Sequence, residues 1–375
     1  MSSDLSSSRF LIVGGGSGGH ISPGLAVAEV ITRTGGECLF LCSKRTIDAT
    51  MLNGAGASFE PLPAQPFGTR PAALARCLLG MRRSSRRIRE ILNESRYSGV
   101  LALGGFVAAG VLPGLLSARS RGTLDGPIVL LNLDRIPGKA NRTVAKRADL
   151  VVSAVDTVKA GFASQITGLP IRAKALASRS PEECRKELGL DPKQPTLFIT
   201  GASQGASSLN RLMLRLLESG GLTDGDTSYQ VIHLTGTGEA ESLAQAYEQF
   251  GIDAFVRPFM DEIGLAWGAA SITVSRAGAN SVGEIQANAV PTIFLPYPHH
   301  HDRHQFHNAE PLVEAGGALL IEDQDDLTTA SAVGRELKSL LHDDSRLEAM
   351  KSALAAQATP GAADAVAALL GIKAP

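Results

Sequence analysis

Two glycine-rich segments, each sitting between a strand-like run and a helical pattern, limit what this chain can fold into. Phe10-Leu11-Ile12-Val13 leads into Gly14-Gly15-Gly16-Ser17-Gly18-Gly19, and Thr196-Leu197-Phe198-Ile199-Thr200 leads into Gly201-Ala202-Ser203-Gln204-Gly205. Glycine serves where a strand must turn sharply into a helix and admit a ligand close to the backbone. The helix N-terminus beyond such a turn offers free N–H groups and partial positive charge, both suited to phosphate. After the first loop Ser22 reads as an N-cap and Pro23 as the first helical residue, and after the second Ser207–Glu218 reads as a helix.

Strand and helix patterns alternate through Val100–Leu103 and Ile128–Leu131, then restart at the second loop with strands at Tyr229–Leu234, Ile272–Ser275 and Thr292–Leu295. That rhythm predicts α/β domains with parallel sheets covered by helices on both faces. The charged stretch from Ala173 to Pro195 places the junction around Thr167–Ala173. The expected domains are 1–170 and 171–375, with the last helix free to pack back on the first. Two such Rossmann-like halves, their sheets facing across a cleft, hold ligands at the carboxyl ends of the strands.

Composition narrows the class. A hydrophobic share of 44% in 375 residues is enough for two cores, and a net charge of -1 argues against a wholesale nucleic-acid binder. Cys38, Cys42, Cys77 and Cys184 form no C-x-x-C pair, which suggests buried, reduced thiols in a cytosolic setting. The Ser-rich start lacks a basic segment followed by an apolar run, so no signal peptide is expected. No apolar run reaches the roughly 18 residues of a spanning helix.

Each loop has rival readings. Gly14, Gly16 and Gly19 satisfy G-x-G-x-x-G, but the next strand ends in Cys42-Ser43-Lys44-Arg45 instead of an acid, leaving an NADP-dependent oxidoreductase as an alternative. Gly201–Gly205 is formally a G-x-S-x-G elbow, for which Asp302 with His304 or His307 would complete a hydrolase triad. A hydrolase has one elbow on one sheet, whereas here the loop is duplicated. Asp224-Gly225-Asp226 imitates a D-x-D metal motif but reads as a turn, and His299-His300-His301 with His304 and His307 imitates a metal cluster.

Six segments in order resemble one family. Gly14–Ala26 resembles the first signature of the MurG family, and Gly201–Ala206 with Asn210 resembles its G-G-S-Q-G-A-x-x-x-N. Arg276-Ala277-Gly278-Ala279-Asn280-Ser281-Val282-Gly283-Glu284-Ile285, followed by Pro291, resembles its donor-binding helix. Gly104-Gly105-Phe106, Gly168–Arg172 and Asp302–Ala309 are similar to its G-G-Y, G-N-P-V-R and D-R-Q-Q-x-x-N-A.

The resemblance implies a GT-B fold and an inverting, metal-independent hexosyltransferase that requires no cofactor. It moves N-acetylglucosamine from UDP-N-acetylglucosamine to an undecaprenyl-pyrophosphate-linked muramoyl peptide in peptidoglycan synthesis. The implied placement is peripheral, on the cytoplasmic face of the bacterial plasma membrane. The implied donor residues are Ser17, Gly18, Gly19, Arg172, Ser203, Gln204, Asn210, Met260, Ala279, Asn280, Ser281, Val282, Gly283, Glu284, His304 and Gln305. Gly15, Gly16, Gly105 and Asn141 fall to the acceptor, and His20 is the candidate base. Glu284 and Ser281 share one helical turn, and a carboxylate there can accept from a ribose diol.

The chain departs from the family at Leu131-Asn132-Leu133-Asp134, where the pattern is H-E-Q-N. Asn132 replaces the carboxylate, Leu131 the histidine, and Asp134 is a candidate to restore an acid. A different acceptor, or an impaired relative, is the alternative these changes leave. From Arg70 to Arg89 seven arginines occur without an acid, interleaved with Leu74, Leu78, Leu79, Met81 and Ile88. If helical, the segment offers an anionic membrane surface Arg82, Arg83, Arg86 and Arg87.

Overall fold

The computed structural model describes residues 8–16, 18–201, 205–221, 229–236, 238–299 and 302–372. The chain divides into two compact units, one of residues 1–172 with 359–375 and one of residues 173–358.

Unit 1 is built on a parallel sheet of β1 (Arg9–Val13), β2 (Glu37–Ser43), β3 (Phe59–Leu62), β4 (Gly99–Ala102), β5 (Ile128–Asn132), β6 (Leu150–Ser153) and β7 (Gln165–Ile166). Their order is β3-β2-β1-β4-β5-β6-β7. Strands β4 and β5 are buried along their whole length, which is why they read as unbroken apolar runs. The helices are α1 (Gly18–Arg33), α2 (Thr46–Gly54), α3 (Pro71–Glu94), α4 (Gly105–Ser120) and α5 (Lys139–Ala145).

Helix α1 begins at Gly18, four residues before the expected cap, so that Ser22 and Pro23 lie inside it. Gly18 and Gly19 carry no side chain to obstruct the first turn. Pro23, the sixth helical residue, gives up the bond to the Gly19 carbonyl four residues back. His20 therefore sits in the first turn of the helix.

Unit 2 carries β8 (Thr196–Thr200), β9 (Gln230–Leu234), β10 (Ala254–Arg257), β11 (Ile272–Ser275), β12 (Thr292–Phe294) and β13 (Ala318–Leu320), all parallel, in the order β10-β9-β8-β11-β12-β13. Around them lie α6 (Pro181–Glu187), α7 (Ser207–Glu218), α8 (Ala240–Gln249), α9 (Ile263–Ala269), α10 (Ala279–Asn288), α11 (His304–Glu314), α12 (Leu327–Leu341) and α13 (Asp344–Gln357). In α7 the residues Leu209, Leu212, Met213, Leu216 and Leu217 are buried at helical spacing, while Arg211 and Arg215 pair with Asp325 outside.

The last helix, α14 (Ala362–Leu369), belongs to unit 1 and packs on α1, where Arg33 Nη2 meets Asp364 Oδ1 at 2.7 Å. Burial pushes the Cys38 and Cys42 thiols up to about 12, so both are protonated at neutral pH.

Candidate functional site

In unit 1 the chain leaves neighbouring strands β1 and β4 toward opposite sides of the sheet, and in unit 2 it does the same at β8 and β11. Such switch points open a crevice at the carboxyl ends of the strands. The segments that begin there are Gly14–Gly19, Gly104–Gly105, Gly201–Gly205 and Arg276–Gly278. Ser17, Ser203 and Gln204, and the Asp224–Asp226 turn, lie outside the described residues.

The first loop is gripped from two sides. Asp48 Oδ2 accepts from the Gly16 N–H at 2.7 Å, the Ser43 N–H at 3.0 Å and the Ser43 hydroxyl at 2.6 Å, and the carboxylate is fully buried. Arg45 donates to the Gly16 carbonyl and lies 5.5 Å from the Phe106 ring centroid. Gly15 and Gly16 have φ of 151° and 89°, and a Cβ on them would collide with Asp48 Oδ2 and the Phe106 ring respectively. The Gly16 N–H that a dinucleotide loop would turn to pyrophosphate is thus already used. Arg45, the cation an NADP site would need, is held on the loop backbone.

His20 is half-buried, and a Cβ on Gly105 would lie 3.3 Å from its Cε1. Burial lowers its pKa from the ordinary imidazole value, opposed by the carboxylates of Asp134 and Asp48. Asn132 is fully buried: its Nδ2 donates to the Asp134 carbonyl at 2.7 Å and to Ser153 Oγ at 2.9 Å, and its Oδ1 accepts from Asn141 at 2.9 Å. Gly104, at φ 86°, leaves room for the Asn141 carboxamide. Leu131 is core, with no exposure. His20, Gly105, Asn141, Asn132 and Asp134 therefore form one contiguous group, with Asp134 its half-buried carboxylate.

In unit 2, α7 and α10 both start without a side-chain cap, at Ala206 and Gly278. They follow the neighbouring strands β8 and β11, so both helix starts, with their free N–H groups, come after the carboxyl ends of adjacent strands. Asn210 donates to the Thr235 carbonyl and to Glu239, and its Oδ1 meets His233 Nε2 at 3.0 Å. His233 Nδ1 meets the Tyr247 hydroxyl at 2.9 Å, and burial drives this imidazole down to about 3.

On α10, Ser281 and Val282 are buried, while Ala279, Asn280 and Gly283 are partly exposed. Asn280 Oδ1 is buried and accepts no hydrogen bond among the described residues. Glu284 is 9% exposed and accepts from Trp267 Nε1 at 3.0 Å, so it is not a solvated helix position. Arg276 bridges the switch point, reaching the Leu295 carbonyl at 2.6 Å, Ser208 Oγ, and Asp323 Oδ2 at 2.7 Å.

Gln305 Oε1 accepts the Tyr297 N–H at 2.9 Å. His304 Nδ1 pairs with Asp302 and His307 Nδ1 with Glu310, so the two rings are engaged separately. Among the described residues no three His, Cys, Asp or Glu side chains converge as a metal site; His300 and His301 lie outside them. Met260 is partly buried against the core of unit 2, and Arg172 ends unit 1 half-buried.

The basic segment is α3, and its surface divides in two. Leu78 and Leu79, each 50% exposed, share the outer face with Arg82 and Arg83. Arg87 instead binds Glu60 through two nitrogens and also meets Glu90 and Glu94, and Arg86 meets Glu90 at 3.0 Å. Acids from β3 and from the end of α3 thus neutralise two of the seven arginines in a stretch that looks uniformly basic along Arg70–Arg89. No described helix is long and apolar enough to cross a membrane.

Sequence reading did not find Asp48, Trp267, Ser153 or the Arg276–Asp323 pair. Asp48 is the acid missing from the end of β2, set in the first turn of α2 and turned inward to the loop.

Two doubly wound units, each with a glycine loop at its switch point, define the GT-B fold. The solved structure of MurG from Acinetobacter baumannii is similar, with a TM-score of 0.71 at 22% identity, covering 97% of this chain and 99% of that one. The N-terminal domain model of glycosyltransferase family 28 matches residues 10–153, and the C-terminal domain model of the same family matches residues 196–366. The chain belongs to glycosyltransferase family 28.

A relative from Nocardioides sp. is 35% identical over 93% of each chain, and one from Geobacter metallireducens is 33% identical over 92% of this chain and 93% of its own. Both are named UDP-N-acetylglucosamine–N-acetylmuramyl-(pentapeptide) pyrophosphoryl-undecaprenol N-acetylglucosamine transferases. Membership displaces the oxidoreductase and hydrolase readings of the two loops.

Proposed function

We propose that the protein transfers N-acetylglucosamine from UDP-N-acetylglucosamine to a muramoyl-peptide carried on undecaprenyl pyrophosphate. The observation that carries this reading is full-length similarity to transferases of that name, together with a histidine in the first turn of α1 set among two carboxylates. His20, with its lowered pKa, takes the proton of the acceptor hydroxyl. The oxygen attacks the anomeric carbon from the face opposite the departing UDP, inverting the configuration. Asp134 stabilises the imidazolium as it forms.

In unit 2 the uncapped starts of α7 and α10 suit the diphosphate, and the family resemblance alone assigns Arg172, Ser203 and Gln204 to it. Glu284 and Ser281 suit the ribose, Met260 the uracil, and His304 and Gln305 the sugar. The departing charge is held by helix ends and arginine, and UDP-sugar is the only cofactor-like group the reaction needs. The exposed part of α3, with Leu78, Leu79, Arg82 and Arg83, rests on an anionic bilayer and keeps the enzyme peripheral on the cytoplasmic face.

The deciding experiment is transfer of radiolabel from UDP-N-acetylglucosamine to a lipid-linked muramoyl-peptide, with extraction of labelled lipid. UDP binding without labelled lipid would support a relative with another acceptor or without turnover.

A further inference from the structure

At the carboxyl ends of β6 and β7 a cavity of about 310 Å³ is lined by Ser153, Asp156, Thr157, Ser164, Gln165 and Ile166, among others. One of its lining residues, Ser153, is linked to the group around His20 by hydrogen bonds. Ser153 Oγ bonds Asn132 at 2.9 Å, and Asn132 holds both Asn141 and the Asp134 carbonyl. Arg135 Nε donates to the Asp156 carbonyl at 3.3 Å, and the Val158 N–H donates to the Arg135 carbonyl at 3.0 Å. The segment that carries the candidate acid is therefore bonded to the backbone of the segment that lines the cavity.

The lining chemistry selects among the parts of an acceptor. It has one carboxylate, hydroxyls and a carboxamide, and the described lining contains no lysine or arginine. A pyrophosphate would be repelled there. Thr157 and Ser164 donate their hydroxyl protons to the carbonyls of Lys159 and Val151 at 2.8 and 3.0 Å, which leaves their oxygens to accept. Beside them β7 is the edge of the sheet, with Ile166 54% exposed. An edge strand with a mixed polar and apolar pocket is a surface that suits an extended peptide.

We propose that this cavity receives the peptide of the acceptor while the sugar hydroxyl lies at His20. The assignment rests on the function proposed above and adds to it a site for substrate selection.

The test compares two lipid-linked muramoyl acceptors, one with its peptide and one without, using wild type, Ser164→Trp and Asp156→Ala. Both residues are exposed, and Ser164→Ala controls for loss of the Val151 bond. Ser164→Trp should raise KM for the peptide-bearing acceptor by about tenfold or more, with transfer to the peptide-free acceptor within about twofold of wild type. Asp156→Ala should move KM in the same acceptor-selective way. Equal effects on both acceptors, or none on the peptide-bearing one, overturn the assignment. Wild-type protein that labels neither acceptor overturns the transferase reading itself, and this inference with it.

Discussion

The backbone N–H of Gly16 donates to a buried carboxylate, Asp48 Oδ2, at 2.7 Å, so the tightest part of the first glycine loop is anchored to α2. Replacing Asp48 with Ala leaves three donors, from Gly16 and Ser43, without their acceptor. That should cost about 1–3 kcal/mol or more of stability, measured by denaturant unfolding. Gly15→Ala should do comparable harm, since its φ of 151° and the neighbouring Asp48 oxygen exclude a Cβ. Wild-type stability in either variant would show that the clamp does not hold the loop.

Burial lowers the pKa of His20, while Asp134 and Asp48 raise it. A base acts when unprotonated, so the acidic limb of kcat/KM should lie below the ordinary imidazole value of 6.5. Asp134→Asn and Asp48→Asn each remove a charge that favours the imidazolium, so each should move that limb to still lower pH. His20→Ala should abolish turnover with UDP affinity nearly intact. A limb that stays in place in both Asn variants would exclude His20 as the titrating base.

Glu284 combines burial with one bond from Trp267. If it also accepts from the ribose, Glu284→Gln should weaken UDP binding by about ten- to a hundredfold, the worth of hydrogen bonds to a charged group. Isothermal titration with UDP reads this directly, and unchanged affinity would remove Glu284 from the donor site.

The two halves of the α3 patch should behave differently on vesicles containing anionic lipid. Arg82→Glu with Arg83→Glu should abolish sedimentation with them. Arg86→Glu with Arg87→Glu should weaken it less, because Glu60, Glu90 and Glu94 already neutralise those charges. Equal loss in both double variants would contradict the division.

His233 is neutral in the fold down to about 3 but titrates near 6.5 when unfolded. The unfolded chain binds the extra proton in that window, so stability is full above about 6.5 and falls as pH drops toward about 3. Melting temperature against pH for wild type and His233→Asn should show a shallower slope in the variant.

The central strands and α7 were legible because a buried parallel strand is an apolar run and α7 shows a clean helical stripe. The start of α1 was misread because Ser22-Pro23 is a strong local signal, while a glycine pair permits a helix without announcing one. The long-range partners were not legible. Asp48 looks like any acid in a first turn, and Glu60, β3's answer to Arg87, is 27 residues away in sequence. Trp267 meets Glu284 only because α9 and α10 are brought together by the sheet. Such pairs arise from topology, and no local spacing encodes them.

The return of α14 to unit 1 makes that unit discontinuous, with the whole of unit 2 inserted before its final helix. During synthesis the surface of α1 that α14 covers must wait until every strand of unit 2 has emerged. Closing so long a loop is cheap in entropy, since the cost grows only logarithmically with length, but it sets an order of events. Unit 2 can finish first although it starts second. A fragment cut at the junction near residue 172 would carry the first glycine loop on a unit that lacks one of its packing layers.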